Sequence, residues 1–226
     1  MLEKKLPGEG LKLIACLTML IDHVGVVLFP WVLWLRIVGR IAFPIYCFLL
    51  AEGVHYTKSP AKYGLRLGFA MLISEIPFDI ALWGQLTWRH QNVLVTLLLG
   101  FCALELMQKT DRAIFKVLLA LPFVLLAETF RTDYGTQGVV MVLMFGLARE
   151  YGWKLPIVAI LLTAVSIMTP SFPVFVLGVP VPIEMFCVVS MVPIALYSGK
   201  KATSSRQLQW LFYLFYPVHL AVLSLF

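Results

Sequence analysis

Apolar runs of about 17 to 20 residues follow one another along this sequence, each long enough as a helix to cross about 30 Å of hydrocarbon. No other feature limits the fold as much. In a bilayer core every backbone N–H and C=O must be satisfied within the protein, so only helices and closed barrels span it. The alternating apolar-out, polar-in pattern of a barrel strand is missing. The chain therefore reads as all-α, a polytopic transmembrane helix bundle. Composition agrees: 61% of the 226 residues are hydrophobic and 13% are charged, against about a quarter charged in a soluble domain. Mean hydropathy is +0.91. No length is left for a separate soluble domain, so residues 1–226 are expected to form a single transmembrane domain.

Nine spans are expected, at about 11–30, 35–54, 64–83, 92–108, 114–130, 135–148, 155–170, 174–197 and 209–226. The first reads as a retained helix. It has no small-residue cleavage site, it contains ionisable groups, and another span follows at once. Placing the N-terminus in the cytoplasm leaves only Arg36, Arg40, Arg89 and Arg131 of the 18 basic residues outside, as the positive-inside rule requires. Lys4, Lys5, Lys200 and Lys201 then fall on the inner side. The expected location is the bacterial cytoplasmic membrane, in multi-pass form. This distribution accounts for the net charge of +6. No basic stripe with interleaved aromatics appears, so no nucleic-acid partner is expected. Cys16, Cys47, Cys102 and Cys187 lie inside apolar runs without metal-ligand spacing, and no metal is expected.

The polar residues within the spans point to function, because each is costly in lipid and packing does not require it. Asp22 and His23 lie in the run LKLIACLTMLIDHVGVVLFP, 11–30. At about 1.5 Å per residue His23 is about 18 Å from the inner end, just past the midplane. A neutral imidazole there suits a general base, and a carboxylate from Asp22 or another helix can orient it. Lys12 precedes His23 by eleven residues. At about 100° per residue, that spacing brings the two within about 20° of one face. One groove would then join the inner surface to His23. Arg36 and Arg40 share a face four residues apart, as do Glu52 and His55 at three, and Glu75 and Asp79 at four around Pro77. Arg89, His90, Asn92, Glu128 and Asp133 gather at the outer side. Glu184 and His219 sit alone in later spans. The expected picture is a polar cavity open to the outside above a basic inner surface.

Several segments together carry a family resemblance: LKLIACLTMLIDHVG (11–25), LRIVGRIAFPIYCFLLAEGVHYT (35–57), YGLRLGFAMLISEIPFDIA (63–81), QNVLVTLLLG (91–100), DYGTQGV (133–139) and YPVHL (216–220). In this order they resemble the TraX family of membrane proteins, linked to N-terminal acetylation of conjugative pilin. The first span is also similar to that of larger membrane acyltransferases, in which an Arg precedes a catalytic His by eleven residues. Here Lys12 replaces the Arg, keeping the charge and losing the bidentate fork. A more distant likeness is to the lysosomal heparan glucosaminide acetyltransferase.

The resemblance implies acyl transfer from acetyl-CoA or another acyl-CoA as donor substrate. On that reading Lys12, Arg66, Lys58 and Lys62, with Glu52 nearby, meet the donor at the cytosolic side. His23 deprotonates the acceptor, with Asp22, Glu75 and Asp79 as the carboxylates that orient it or hold its charge. Arg36, Arg40, Asn92 and Asp133 bind the acceptor or the oxyanion. The acceptor itself is open: a peptide N-terminus, an amino sugar or a lipid headgroup. The partners are membrane lipid, acyl-CoA and that acceptor. The rival reading is a proton-coupled secondary transporter, in which Glu184 and His219 matter as much as His23. A structural scaffold would tolerate alanine at His23, Glu75 and Asp79.

Overall fold

Backbone satisfaction winds these apolar runs into helices, and the computed structural model, which describes residues 5–169, 171–199 and 206–226, is accordingly mostly helical. Lys4, Lys200 and Lys201 lie outside the described residues. In chain order the first helices are α1 (Gly8–Val27), α2 (Leu33–Gly39), α3 (Ala42–Tyr56) and α4 (Pro60–Trp83). After them come α5 (Val93–Met107), α6 (Ala113–Thr129), α7 (Gly135–Glu150) and α8 (Leu155–Met168). Local chemistry sets several ends. Pro60 opens α4, and Gly84, left-handed at φ 68°, closes it. Asn92 caps α5 by accepting the Leu94 N–H at 2.9 Å.

The second expected span is two helices rather than one. The break follows Gly39, which lies flat against α1: a Cβ there would stand 2.0 Å from Asp22 Oδ1. Only glycine permits that approach. Arg40, just beyond it, turns its side chain to carboxylates on two other elements.

The expected span at 174–197 is also not a continuous helix. It begins as an antiparallel hairpin of β1 (Pro173–Val176) and β2 (Val179–Pro182), with Val176 opposite Val179. Leu177 and Gly178 turn the hairpin at φ 50° and 82°. A 3-10 segment, Ile183–Ser190, and the short α9 (Met191–Ala195) follow. Pro180 and Pro182 cannot donate helical hydrogen bonds and crowd the preceding turn, while the alternating valines suit a strand. The chain then enters α10 (Arg206–Leu223).

Successive helices run up and down. At one end Leu6 pairs with Tyr197, Arg149 of α7 reaches Glu52 of α3 at 3.2 Å, and Lys116 of α6 meets Glu150. At the other end Gln91 pairs with Thr132. Helices α5 and α7 cross closely where Gly100 faces Val142, Gly138 faces Thr96 and Phe43, and Gly146 faces Leu104. The first and last helices lie in contact: Lys12 is over the Phe212 ring and His23 is against His219, so α1 and α10 point the same way.

The core gathers Leu11, Ala15, Phe43, Ile45, Leu97 and Val142. Outward faces are apolar too, with Leu65, Leu72 and Ile76 of α4, Ile114, Val117 and Leu125 of α6, and Ile157 and Ile160 of α8 exposed. Soluble monomers rarely present such a surface, and it fits a membrane protein. Two stretches, Gly8–Val27 and Leu33–Tyr56, are each long and apolar enough to cross a bilayer. Helices such as α5 and α8 have 15 and 14 residues, about 22 Å at 1.5 Å per residue.

Candidate functional site

A cavity of about 340 Å³ lies between α1, α2, α3 and α4, beneath the α4–α5 and α6–α7 connections. It takes its polar groups from Asp22, His23, Arg36, Arg40, His90 and Asp133, and its walls from aromatics that include Phe43, Tyr46, Phe78 and Tyr134.

Asp22 does not serve His23. Its carboxylate is held by two guanidiniums, with Arg36 Nη1 donating to Oδ2 at 2.7 Å and Arg40 Nη2 to Oδ1 at 2.9 Å. Arg40 also donates from Nη1 to Glu184 Oε1 at 2.8 Å, and its cation lies 5.7 Å from the Tyr134 ring centroid. The result is a four-charge network, two of each sign, built across α1, α2 and the 3-10 segment. Glu184 enters from the first turn of that segment, which the hairpin before it leads back to Arg40.

His23 has a different partner. Its Nδ1 is 2.7 Å from Nε2 of His219 on α10, and His219 Nδ1 is 2.6 Å from the Phe215 carbonyl. Both rings are buried, at 8% and 7% exposure. Tyr216 and Phe215 pack beside them. Sequence spacing gave no sign of this contact, because it joins helices 196 residues apart. Below His23, the face running back to Lys12 is filled. Met19 packs with Phe78, Tyr216 and Leu220, and Cys16 Sγ sits 3.2 Å from the Tyr46 hydroxyl. The single open groove expected from Lys12 to His23 is therefore closed by side chains in this conformation.

The cavity's other rim is two connections zipped together. The Gln91 N–H donates to Arg131 O at 3.2 Å, and the Asp133 N–H donates to Gln91 O at 2.8 Å. The Thr96 hydroxyl bonds the Asp133 carbonyl. Tyr134, left-handed at φ 64°, turns into α7 and stacks on Phe43 at 3.8 Å between ring centroids. The register of the zipper sets His90 Nε2 3.8 Å from Asp133 Oδ1, an ion pair rather than a hydrogen bond. The Asp133 carboxylate raises the His90 pKa above 6.5 against the opposing effect of burial, with Glu75 and Asp79 adding to the rise.

Glu75, Asp79 and Asn92 come together but do not line the cavity. Asn92 donates to Glu75 Oε2 and to Met71 O, and its Oδ1 caps α5, so its amide is fully engaged. Asp79 Oδ2 accepts the Thr87 N–H at 2.8 Å and holds the α4–α5 connection. These groups are buttresses of the rim.

At the opposite end, Lys12 lies 5.5 Å over Phe212. Arg66 stacks on Tyr63 at 5.9 Å and on Tyr213 at 6.0 Å. The two cations thus bracket the first turns of α10. Lys58 and Lys62 are exposed nearby in sequence, at the start of α4. Glu52 is buried and engaged by Arg149, apart from that cluster. A second groove of about 250 Å³ runs between α4 and α10 from Arg66 past Trp210 and Tyr213 to Pro217, and it shares no lining residue with the first. Among the described residues no group of three or more His, Cys, Asp or Glu is placed to hold a metal ion.

A family model described as TraX protein matches residues 7–226. The chain is 31% identical over 233 aligned positions to a Dichelobacter nodosus protein named "Probable fimbrial assembly protein FimC, serogroup H1", covering 94% of this chain and 92% of that one. It is 26% identical over 177 positions to the uncharacterized protein RP591 of Rickettsia prowazekii (strain Madrid E), covering 75% of this chain and 66% of that one. No solved structure matches it.

Proposed function

The chain belongs to the TraX family, and on that premise we propose that it is a multi-pass membrane acyltransferase. It moves an acetyl or other acyl group from cytosolic acyl-CoA to an amine or hydroxyl presented from the other side. The observation that carries this reading is His23, buried at a cavity wall, bonded through Nδ1 to a second imidazole and flanked by two arginines.

In the reaction, His23 takes the proton from the acceptor N–H or O–H as the acceptor's lone pair bonds to the thioester carbon. The carbonyl oxygen becomes an oxyanion. Arg36 is the better candidate to hold it, because it is bound to one carboxylate and Arg40 to two. Collapse breaks the C–S bond, and the leaving thiolate takes the proton back from His23. Atoms and charge balance without a covalent enzyme intermediate. Asp22 acts by holding Arg36 and Arg40 in place rather than as a base.

The donor's phosphates belong at the Lys12 and Arg66 end, where exposed Lys58 and Lys62 add charge. Because Cys16, Met19 and Tyr46 fill the space between, the acyl group reaches His23 only when these side chains yield. The N-terminus is cytosolic and the chain crosses the bilayer about nine times, with the hairpin at the outer face. The fimbrial assembly name of the Dichelobacter relative makes a pilin-type peptide N-terminus one acceptor to test beside amino sugars and lipid headgroups.

The test uses purified protein in nanodiscs with acetyl-CoA and candidate acceptors, following free CoA thiol. CoA release that falls by about 10²- to 10⁴-fold in a folded His23→Ala variant supports the reading. No donor binding and no turnover with any acyl-CoA overturns it, and proton flux dependent on Glu184 would then support a transporter.

A further inference from the structure

We infer that His219 is a positioning residue that fixes His23 as its Nδ1–H tautomer, leaving Nε2 as the atom that accepts the proton. The inference rests on His23 acting as the base in the reaction proposed above, but its geometry is independent of that reaction.

The Phe215 carbonyl, His219 and His23 form a chain of three hydrogen-bonding groups. A backbone carbonyl only accepts hydrogen bonds. His219 Nδ1, 2.6 Å from the Phe215 carbonyl, therefore carries a proton. A neutral imidazole has one N–H, so His219 Nε2 is a bare acceptor. His23 Nδ1, 2.7 Å from that nitrogen, must then carry a proton of its own. The lone pair of neutral His23 is left on Nε2. Reversing the order requires a charged ring at His219. Among the described residues no carboxylate is hydrogen-bonded to either ring: Asp22 is held by the arginines, Asp133 shares the cavity with His23 but is paired with His90, and the rings against His219 are those of Phe215, Tyr216 and His23. An uncompensated charge buried there is costly.

The arrangement does with a neutral group what a carboxylate does for the histidine of a serine protease triad. It holds one ring nitrogen protonated and aims the other. When His23 takes the acceptor's proton, its Nδ1–H bond to His219 becomes charge-assisted and stronger. The proton stays on His23, ready to return to the leaving thiolate. A neutral partner also suits this place, since burying an imidazole costs far less than burying an unpaired carboxylate.

The experiment is nitrogen-15 NMR of histidine-labelled protein in nanodiscs at neutral pH, with the four histidines assigned by single substitution. Wild type is expected to show His23 with a protonated Nδ1 and a bare Nε2. His219→Phe keeps a ring between Phe215 and Tyr216 but removes the acceptor, and it moves His23 to the Nε2–H form. His219→Gln restores an acceptor oxygen and the original form. In the acyl-transfer assay His219→Phe lowers kcat by about 10²-fold, at the low end for loss of a general base, with donor KM unchanged, and His219→Gln recovers most of it. An Nε2–H His23 in the wild-type spectrum overturns the inference, as does an Nδ1–H signature that persists in His219→Phe. If His219→Phe does not fold, the wild-type and His219→Gln spectra decide. If the expected spectrum appears but no CoA is released, the acyltransferase reading fails and the tautomer assignment stands.

Discussion

Replacing Arg40 by Met isolates the electrostatics of the buried network. Four charges take part and sum to zero: Asp22 and Glu184 negative, Arg36 and Arg40 positive. Arg40, only 6% exposed, is the member that touches both carboxylates. Removing it leaves one negative charge in excess. That charge settles on Glu184, because Asp22 keeps Arg36 at 2.7 Å while, among the described residues, Glu184 keeps the weak donor Cys187 Sγ at 3.6 Å. Stranding one member of a buried pair costs about 3–5 kcal/mol, and Arg40→Met is expected to lose that much. Adding Glu184→Gln removes the stranded charge, so the double variant recovers about 1–3 kcal/mol of the loss. Arg40→Lys falls between, since a single ammonium cannot reproduce two forked contacts to separate carboxylates. Unfolding in nanodiscs, followed by tryptophan fluorescence, reads all four members of the cycle. Strict additivity of Arg40→Met and Glu184→Gln would refute the argument, and so would a cost below about 1 kcal/mol for Arg40→Met, the range of an exposed pair.

Gly39→Ala brings a Cβ to 2.0 Å from Asp22 Oδ1 and 2.3 Å from Asp22 Cβ. It is expected to cost about 1–3 kcal/mol from overpacking, with Asp22→Ala giving no rescue, and a wild-type Tm would contradict the close approach of α1 and α2. Asp133→Asn tests the rim. Because Asp133 raises the His90 pKa, the stabilisation is full below about 6.5 and fades as pH rises through the raised value. The Tm difference between wild type and variant should shrink with rising pH, and a difference constant from acid to alkaline pH would rule the pair out as its source. Lys12→Ala and Arg66→Ala should each raise KM for acyl-CoA several-fold with kcat near wild type; a fall in kcat at unchanged KM would remove them from donor anchoring.

Much of the helix map is legible because hydrophobic runs are read directly as spans, and α1 and α4 to α8 lie close to their expected places. The hairpin at 173–182 was hidden by the same signal. Its valines and phenylalanine raise the average hydropathy, and that average does not register Pro180 and Pro182, which break a helix, or Gly178, which eases the turn. The break after Gly39 has a local signal, Pro44, which has no N–H for the Arg40 carbonyl and whose ring crowds it; the close approach of Asp22 to Gly39 is tertiary and no spacing announces it. The site divides in the same way. That Arg40 meets a carboxylate follows from the cost of a lone buried charge, but its identity as a bridge from Asp22 to Glu184 depends on packing. Glu75 and Asp79 were readable as a pair on one face; that Asn92 joins Glu75 and that the three buttress the rim depends on which way α4 faces. His219 was visible as a histidine in an apolar helix, and only the parallel contact of α10 with α1 gives it a partner.

The pairing of α1 with α10 also orders events during biosynthesis. His23 leaves the ribosome early and His219 late, with 196 positions between them. Until α10 lies beside α1, the His23 imidazole lacks the His219 nitrogen at its Nδ1, and the cations at Lys12 and Arg66 lack the aromatic rings of Phe212 and Tyr213. A nascent or truncated chain thus carries the candidate base without the element that aims it. The site is complete only once the first and last of these helices have come together.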